Sequence, residues 1–173
     1  MSILKNILAL APLLCYKYRM KTNFAFTRVG NISVVVHSGV NPLPVEWDSM
    51  IADMQTFRAT MKGILVYTEG GSPNATQRKQ LRDVLSPETR EPALTTVFTT
   101  SVVARMAVTA FNLFFGNRMR AIDPSAYEEG LTHLGVPKKE WPALMKALEE
   151  LAKSINIKYP FPYSGKTSSL SAQ

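Results

Sequence analysis

A short segment with two glycines and a serine hydroxyl, Glu69-Gly-Gly-Ser72, is the part of the chain whose residue types most clearly suggest a binding or regulatory site. Its backbone N–H groups can cradle an anion at the start of a helix, with Arg78 or Lys79 supplying positive charge. Neither the G-x-x-x-x-G-K-S/T nor the G-x-G-x-x-G spacing of nucleotide-binding loops accompanies the segment. A dedicated nucleotide site is therefore not expected. Ser72 is interpreted either as a helix N-cap or as a regulatory hydroxyl.

Side chains that act as nucleophiles, bases or metal ligands are few and scattered. The two histidines, His37 and His133, fall in unrelated segments, and Cys15 is the single cysteine. Because catalytic and metal sites need several such groups close together, neither a Cys-His pair nor a His-rich metal site is expected. No G-x-S-x-G nucleophile elbow is present, so the residues predict a protein that is not an enzyme and uses no metal or cofactor. The lone cysteine offers no disulfide framework, which favours a reducing, cytoplasmic compartment.

The net charge of +7 arises mainly from the two ends of the chain. Residues 1–21 contain four basic groups and no acid, and residues 156–173 contain two more lysines. All 13 acidic residues lie between these ends, together with the remaining 14 basic ones. Because nucleic-acid binding requires a basic face on the folded domain, this nearly balanced part is not expected to bind nucleic acid.

The elements around the glycine-rich segment predict an α/β fold. The apolar run from Ile64 to Tyr67 indicates a strand buried on both faces, followed by a tight turn and a helix from about Pro73 to Leu85. Comparable patterns elsewhere predict the order β-β-α-β-α-β-α-β-α, with one extra helix near the C-terminus. Because crossovers between parallel strands are right-handed, this order predicts a single mixed, mostly parallel sheet of about five strands with helices packed on it. Loop 68–76 is then displayed at the carboxyl edge of the sheet, where ligands and partners bind.

The third predicted helix, from Val102 to Phe115, is apolar almost all round. Such a helix either packs centrally beneath its neighbours or contacts a protein or a lipid on its outer side. The two alternatives differ in whether Val108, Phe111 and Phe115 reach the surface.

We expect one folded domain over residues 22–155, with a peripheral extension at 1–21 and a flexible tail at 156–173. The apolar run from Ile7 to Cys15 is too short to span a bilayer. Residues 1–19 are interpreted either as an over-extended, disordered start or as a peptide that binds a membrane surface or a partner.

In its element order, and in a hydroxyl-rich turn after the central strand, the chain from about Asn23 to Leu134 resembles the STAS family, named for sulfate transporters and anti-sigma-factor antagonists. This resemblance implies a signalling module without enzymatic activity that binds a protein partner, often a kinase-like anti-sigma factor. It also implies a switch by phosphorylation of a Ser or Thr at the start of the helix after the central strand. Ser72 stands at that position, and Thr76 lies one turn later. The family often has Asp-x-Ser there, whereas this chain has one more residue between Glu69 and Ser72.

The leading hypothesis is a regulatory module that binds a protein partner, or a second copy of itself, through the loop after the central strand and the third helix. The second hypothesis is a carrier of a lipid or another small apolar ligand, with the third helix lining its pocket. The residues expected to bind the partner or to regulate binding are Glu69, Gly70, Gly71, Ser72, Thr76, Arg78, Phe111 and Phe114.

Overall fold

The computed structural model of the protein describes residues 22–85 and 93–163. Within this part, the side chains of Phe114 and Phe115 are not described. The expectations for the extension at 1–21 and for residues 164–173 lie outside the described residues.

Strands and helices follow each other along the described chain in the predicted order. The strands are β1 (Phe24–Val29), β2 (Ile32–His37), β3 (Gly63–Thr68), β4 (Leu94–Phe98) and β5 (Met119–Ile122). The α-helices are α1 (Pro44–Thr56), α2 (Ala75–Leu85), α3 (Val102–Phe115), α4 (Tyr127–His133) and α5 (Trp141–Ser154). Short 3-10 turns, Pro124–Ala126 and Lys138–Glu140, directly precede α4 and α5.

These strands form one sheet in the order β1-β2-β3-β4-β5. β1 and β2 pair antiparallel as a hairpin, whereas β2, β3, β4 and β5 run parallel. Gly30 supplies the left-handed conformation of the hairpin turn, with a φ of +58°. The predicted α/β fold, a single mixed and mostly parallel sheet with helices packed on it, is confirmed.

Helices cover both faces of the sheet, because side chains alternate between the two faces along each strand. α1, α2 and α3 connect successive parallel strands, and the strand order always advances in one direction. Right-handed crossovers therefore place these three helices on the same face, over Val35, Ile64 and Val97. α4 and α5 cover the opposite face, where Leu131 and Leu148 are fully buried.

The prediction that residues 156–173 form a flexible tail is wrong for the part that ends at Tyr163. Phe161 is buried, and its ring meets Tyr67 and Phe98 edge-on with centroids 5.5 and 5.0 Å apart. The Tyr159 ring lies 4.9 Å from the Phe161 ring. These aromatic rings bury enough apolar area to hold a segment whose proline content suggested a loose tail.

Candidate functional site

The carboxyl ends of β2 and β3 are joined by two buried side chains. His37 and Thr68 occupy paired positions of the two strands, and Thr68 Oγ1 lies 3.1 Å from His37 Nδ1. Thr68 Oγ1 also accepts a hydrogen bond of 3.0 Å from the N–H group of Gly70. These contacts tie the start of loop 68–76 to the edge of the sheet.

Burial sets the protonation state of His37. Loss of hydration lowers the pKa of its imidazole from 6.5 to about 4, and the backbone carbonyl of Ser38 opposes this shift only in part. The ring is therefore neutral at pH 7, where it stacks near Phe24 with centroids 6.1 Å apart. In this state, Nδ1 can share a proton with the Ser38 carbonyl oxygen and the Thr68 hydroxyl without introducing a buried charge.

The predicted segment Glu69–Ser72 does lie at the carboxyl edge of the sheet, but only part of it is displayed. Glu69 is exposed, whereas Gly71 is buried beneath the loop that follows β2. There the N–H group of Gly71 donates a hydrogen bond of 3.3 Å to the Ser38 carbonyl oxygen. The segment therefore offers a carboxylate to solvent and uses its second glycine for packing.

Ser72 does not cap α2, so the N-cap interpretation is wrong. The helix begins at Ala75, two residues later than predicted, and Asn74 Oδ1 accepts a hydrogen bond of 2.9 Å from the Gln77 N–H group. In return, Gln77 Oε1 accepts from the Asn74 N–H group at 2.8 Å, which completes a capping box. Ser72 is half-buried, and its own N–H group donates to Asn41 Oδ1. Its hydroxyl donates a long bond of 3.4 Å to the Pro73 carbonyl oxygen.

The first two turns of α2 place positive charge beside Ser72. Arg78 donates a hydrogen bond of 2.9 Å from Nη1 to the Pro73 carbonyl oxygen, which holds its guanidinium group close to Ser72. Thr76, the second predicted hydroxyl site, is exposed. Lys79 and Arg82 are also exposed. This end of α2 is therefore cationic over its solvent-facing side.

Large apolar side chains are exposed along one side of α3, which we call the docking face. Its members recur at helical spacing and are Val102, Val103, Met106 and Leu113, exposed by 70%, 64%, 68% and 84%. The predicted contact residue Phe111 is half-buried, and Val108 is buried. The side chain of Phe114 is outside the described part of the structure. The apolar outer surface considered for this helix therefore exists, and its exposed members among the described side chains include neither Phe111 nor Val108.

The docking face and loop 68–76 are adjacent. Ser101 caps α3, because its Oγ accepts a hydrogen bond of 3.3 Å from the Ala104 N–H group. A Cβ added to Gly70 would lie 3.1 Å from Ser101 Oγ, so the loop passes directly beside the start of the helix. Arg105 fixes the same end of α3 by donating a bond of 2.9 Å to the Thr99 carbonyl oxygen. Loop and helix therefore belong to one surface.

Beneath α1, α2 and α3 lies a small, almost wholly apolar space of about 90 Å³, which we call the inner cavity. Apolar side chains of the sheet and of all three helices form most of its wall, including Val35, Met50, Met54, Val97 and Met119. His37 and Thr68 contribute the polar end of the wall. The paired strand ends thus face the inside of the protein as well as its edge.

A second depression of about 480 Å³ lies on the surface between α2 and α3, and we call it the basic cleft. Its α2 wall carries Arg78, Lys79 and Arg82, and its α3 wall carries the small side chains of Ala107 and Ala110. The residues that line both the basic cleft and the inner cavity are Ser72, Ala107 and Phe111. These three residues therefore form the wall that the cleft and the cavity have in common.

Two polar atoms in the wall of the inner cavity are buried without a hydrogen-bond partner among the described residues: Trp47 Nε1 and Thr95 Oγ1. Both residues and His37 are missing from the set selected on sequence. Because β2 and β3 end at His37 and Thr68, the strand pattern contained a signal for that pair. Trp47 and Thr95 read as ordinary core positions, and nothing in their spacing distinguishes them.

The chain over residues 22–85 and 93–163 contains no group of three or more His, Cys, Asp or Glu side chains placed to hold a metal ion. It also contains no helix that is both long and apolar enough to cross a membrane. Among known proteins, no family model, no curated sequence and no solved structure matches the chain.

Proposed function

We propose that the protein is a non-enzymatic regulatory module that binds a protein partner through the docking face of α3 and the neighbouring loop 68–76. The observation that carries this proposal is the exposure of four large apolar side chains on one side of a single helix. Large exposed apolar side chains gathered on one side of a helix are typical of sites that bind another molecule. Full burial of a valine, methionine or leucine side chain contributes about 1.5–3 kcal/mol, so the face can supply the centre of an interface.

The charges around the docking face favour a partner that presents apolar side chains flanked by carboxylates. No charged residue belongs to the docking face itself, whereas α2 exposes Arg78, Lys79 and Arg82 on its own side of the basic cleft. Complementary charges at the rim of an interface accelerate association and fix the orientation of the partner. The STAS resemblance adds one candidate class, a kinase-like anti-sigma factor.

Ser72 is the residue at which we propose that this binding is regulated. Phosphorylation would place a double negative charge beside the Arg78 guanidinium group, and so next to the basic cleft. That charge would neutralise the cationic rim and repel an acidic partner. Because the hydroxyl of Ser72 is half-buried, a kinase would require loop 68–76 to open first.

The experiment compares the partners that wild-type protein and Leu113→Asp capture from an extract of the cells that naturally produce the protein. Val45→Asp is the matched control for α3, because Val45 is 66% exposed and belongs to α1 rather than to the docking face. We expect a partner that both wild type and Val45→Asp retain and that Leu113→Asp loses. Equal recovery by all three proteins would refute the proposed surface. Sedimentation of each variant alone identifies the remaining alternative, in which the docking face binds a second copy of the chain.

A further inference from the structure

We infer that the inner cavity and the basic cleft together bind a single-chain anionic amphiphile, with its tail in the cavity and its head group on α2. This inference goes beyond partner binding by the docking face. Its residues on α3 are Ala107, Ala110 and Phe111, none of which belongs to the docking face. Partner capture with Leu113→Asp and the fatty-acid experiments therefore test the two proposals separately.

The wall of the inner cavity suits the end of an apolar chain. Its volume of about 90 Å³ is smaller than the roughly 150 Å³ of an engineered cavity that binds benzene, so it admits a narrow group rather than a ring. Met50, Met54 and Met119 line the space, and methionine side chains adapt readily to the shape of a bound group.

The inner cavity and the basic cleft have three wall residues in common, Ser72, Ala107 and the half-buried Phe111. We place the passage between the two spaces at these residues, because Ser72 and Ala107 contribute little bulk there. A single hydrocarbon chain is the tail that such an opening suits best. The larger volume of the basic cleft, about 480 Å³, then accommodates the remainder of the chain and the head group.

The head group is expected to be anionic because the α2 wall of the cleft is cationic. Arg82 lies 3.5 Å from Asp83, but both side chains are solvent-exposed. Among the described residues, neither Arg78 nor Lys79 forms an ion pair with a carboxylate. A carboxylate or phosphate head group can accept charge-assisted hydrogen bonds from these side chains.

The position of the tail is tested with brominated probes, because bromine quenches a tryptophan that it contacts. Trp47 lines the inner cavity, and replacing Trp141 by Phe leaves it as the only tryptophan. We expect 12-bromododecanoate, below its micelle concentration, to quench Trp47 at least threefold more than 2-bromododecanoate at equal occupancy. Equal quenching by both isomers, or no quenching by either, would overturn the inference.

The head-group site is tested by calorimetry with dodecanoate and with uncharged dodecan-1-ol. Wild type should bind dodecanoate at least tenfold more tightly than the alcohol, and Arg78→Gln with Lys79→Gln should remove this preference. The matched control is Lys138→Gln with Lys139→Gln, which removes the same charge from an exposed turn outside the cleft. Equal affinity for acid and alcohol in wild type would contradict the anionic head group.

The passage is tested with Ala107→Trp, which should abolish quenching by 12-bromododecanoate, and with Ala107→Ser, which should preserve it. Met106→Asp should leave dodecanoate binding unchanged, because Met106 points to solvent on the docking face. Loss of dodecanoate binding in Met106→Asp would show that the fatty acid sits on the outer face and would contradict the assignment to the cavity. If Ala107→Trp does not fold, the comparison of the two brominated isomers on the Trp141→Phe protein still decides the proposal.

Discussion

Gly71 lies against the carbonyl oxygen of Val40, so closely that a Cβ atom at residue 71 would be 2.4 Å from that oxygen. The same Cβ would lie 2.9 Å from the Ser38 carbonyl oxygen. Two loops that follow neighbouring parallel strands are thereby packed backbone to backbone at the carboxyl edge of the sheet. The position requires glycine because of this close approach.

Gly71→Ala should therefore lower the free energy of unfolding by about 1–3 kcal/mol, the usual cost of overpacking a tight site. Gly39→Ala is the control, because a Cβ there would have no neighbour within 4 Å. Urea denaturation of both variants measures the difference. Equal stability of the two variants would show that the loops can separate without cost.

Removal of the α2 cap should separate the roles of two neighbouring residues. Asn74→Ala should lower the free energy of unfolding by about 1 kcal/mol, because it removes the side-chain acceptor for the Gln77 N–H group. Ser72→Ala should change it by less than about 0.5 kcal/mol, because Ser72 makes no cap contact. Thermal and urea unfolding provide the measurement. A larger loss of stability in Ser72→Ala than in Asn74→Ala would show that Ser72 is the N-cap after all.

Stability should fall in mild acid because His37 is buried in its neutral form. Its pKa is about 4 in the folded protein and 6.5 in the unfolded chain, so between these values only the unfolded chain binds the proton. The contribution of neutral, buried His37 to the free energy of unfolding is complete above pH 6.5 and is lost as the pH falls towards 4. From pH 7 to pH 5, the free energy of unfolding should decrease by about 2 kcal/mol through this group.

Urea titrations at pH 7 and pH 5 test this dependence with two variants. His37→Gln should remove most of the decrease, whatever its effect on stability at pH 7. His133→Gln should keep most of it, because His133 is only half-buried, although burial lowers the pKa of this imidazole too. An unchanged pH dependence in His37→Gln would contradict the assignment.

The segment after α5 should contribute to stability. Phe161→Ala should lower the free energy of unfolding by about 3–5 kcal/mol, because the ring is buried against Tyr67 and Phe98. Phe161→Leu should cost clearly less, since leucine fills much of the same space. If Phe161→Ala left the free energy of unfolding unchanged, the segment would be a flexible tail, as its composition suggests.

Local sequence patterns were sufficient to predict the fold of the described chain. The β-branched run at 64–67 and the apolar periodicity of the helices specify a strand order that right-handed crossovers then arrange into one sheet. The C-terminal segment was missed because Phe161 is held by contacts with Tyr67 and Phe98, far away in sequence. The composition of a segment indicates its tendency to be disordered, but it does not predict contacts with aromatic rings that are distant in sequence.

The candidate site was predictable as a location and not as a set of contacts. The carboxyl edge of the sheet follows from topology alone, and with it the position of loop 68–76. The side of α3 that faces solvent depends on the rotation of a helix that is apolar all round, so Phe111 could not be assigned to the inner side. The cap of α2 was misplaced because Ser72 and Asn74 are both good cap residues, and only the hydrogen bonds distinguish them.

The most direct test of the proposed function is the affinity of the captured partner for two variants that each add one carboxylate. Met106→Asp changes the docking face, and Val45→Asp changes a site of nearly equal exposure on α1. Calorimetric titration should give a dissociation constant at least tenfold higher for Met106→Asp and unchanged for Val45→Asp. Equal affinities of the two variants and the wild type would contradict binding through the docking face.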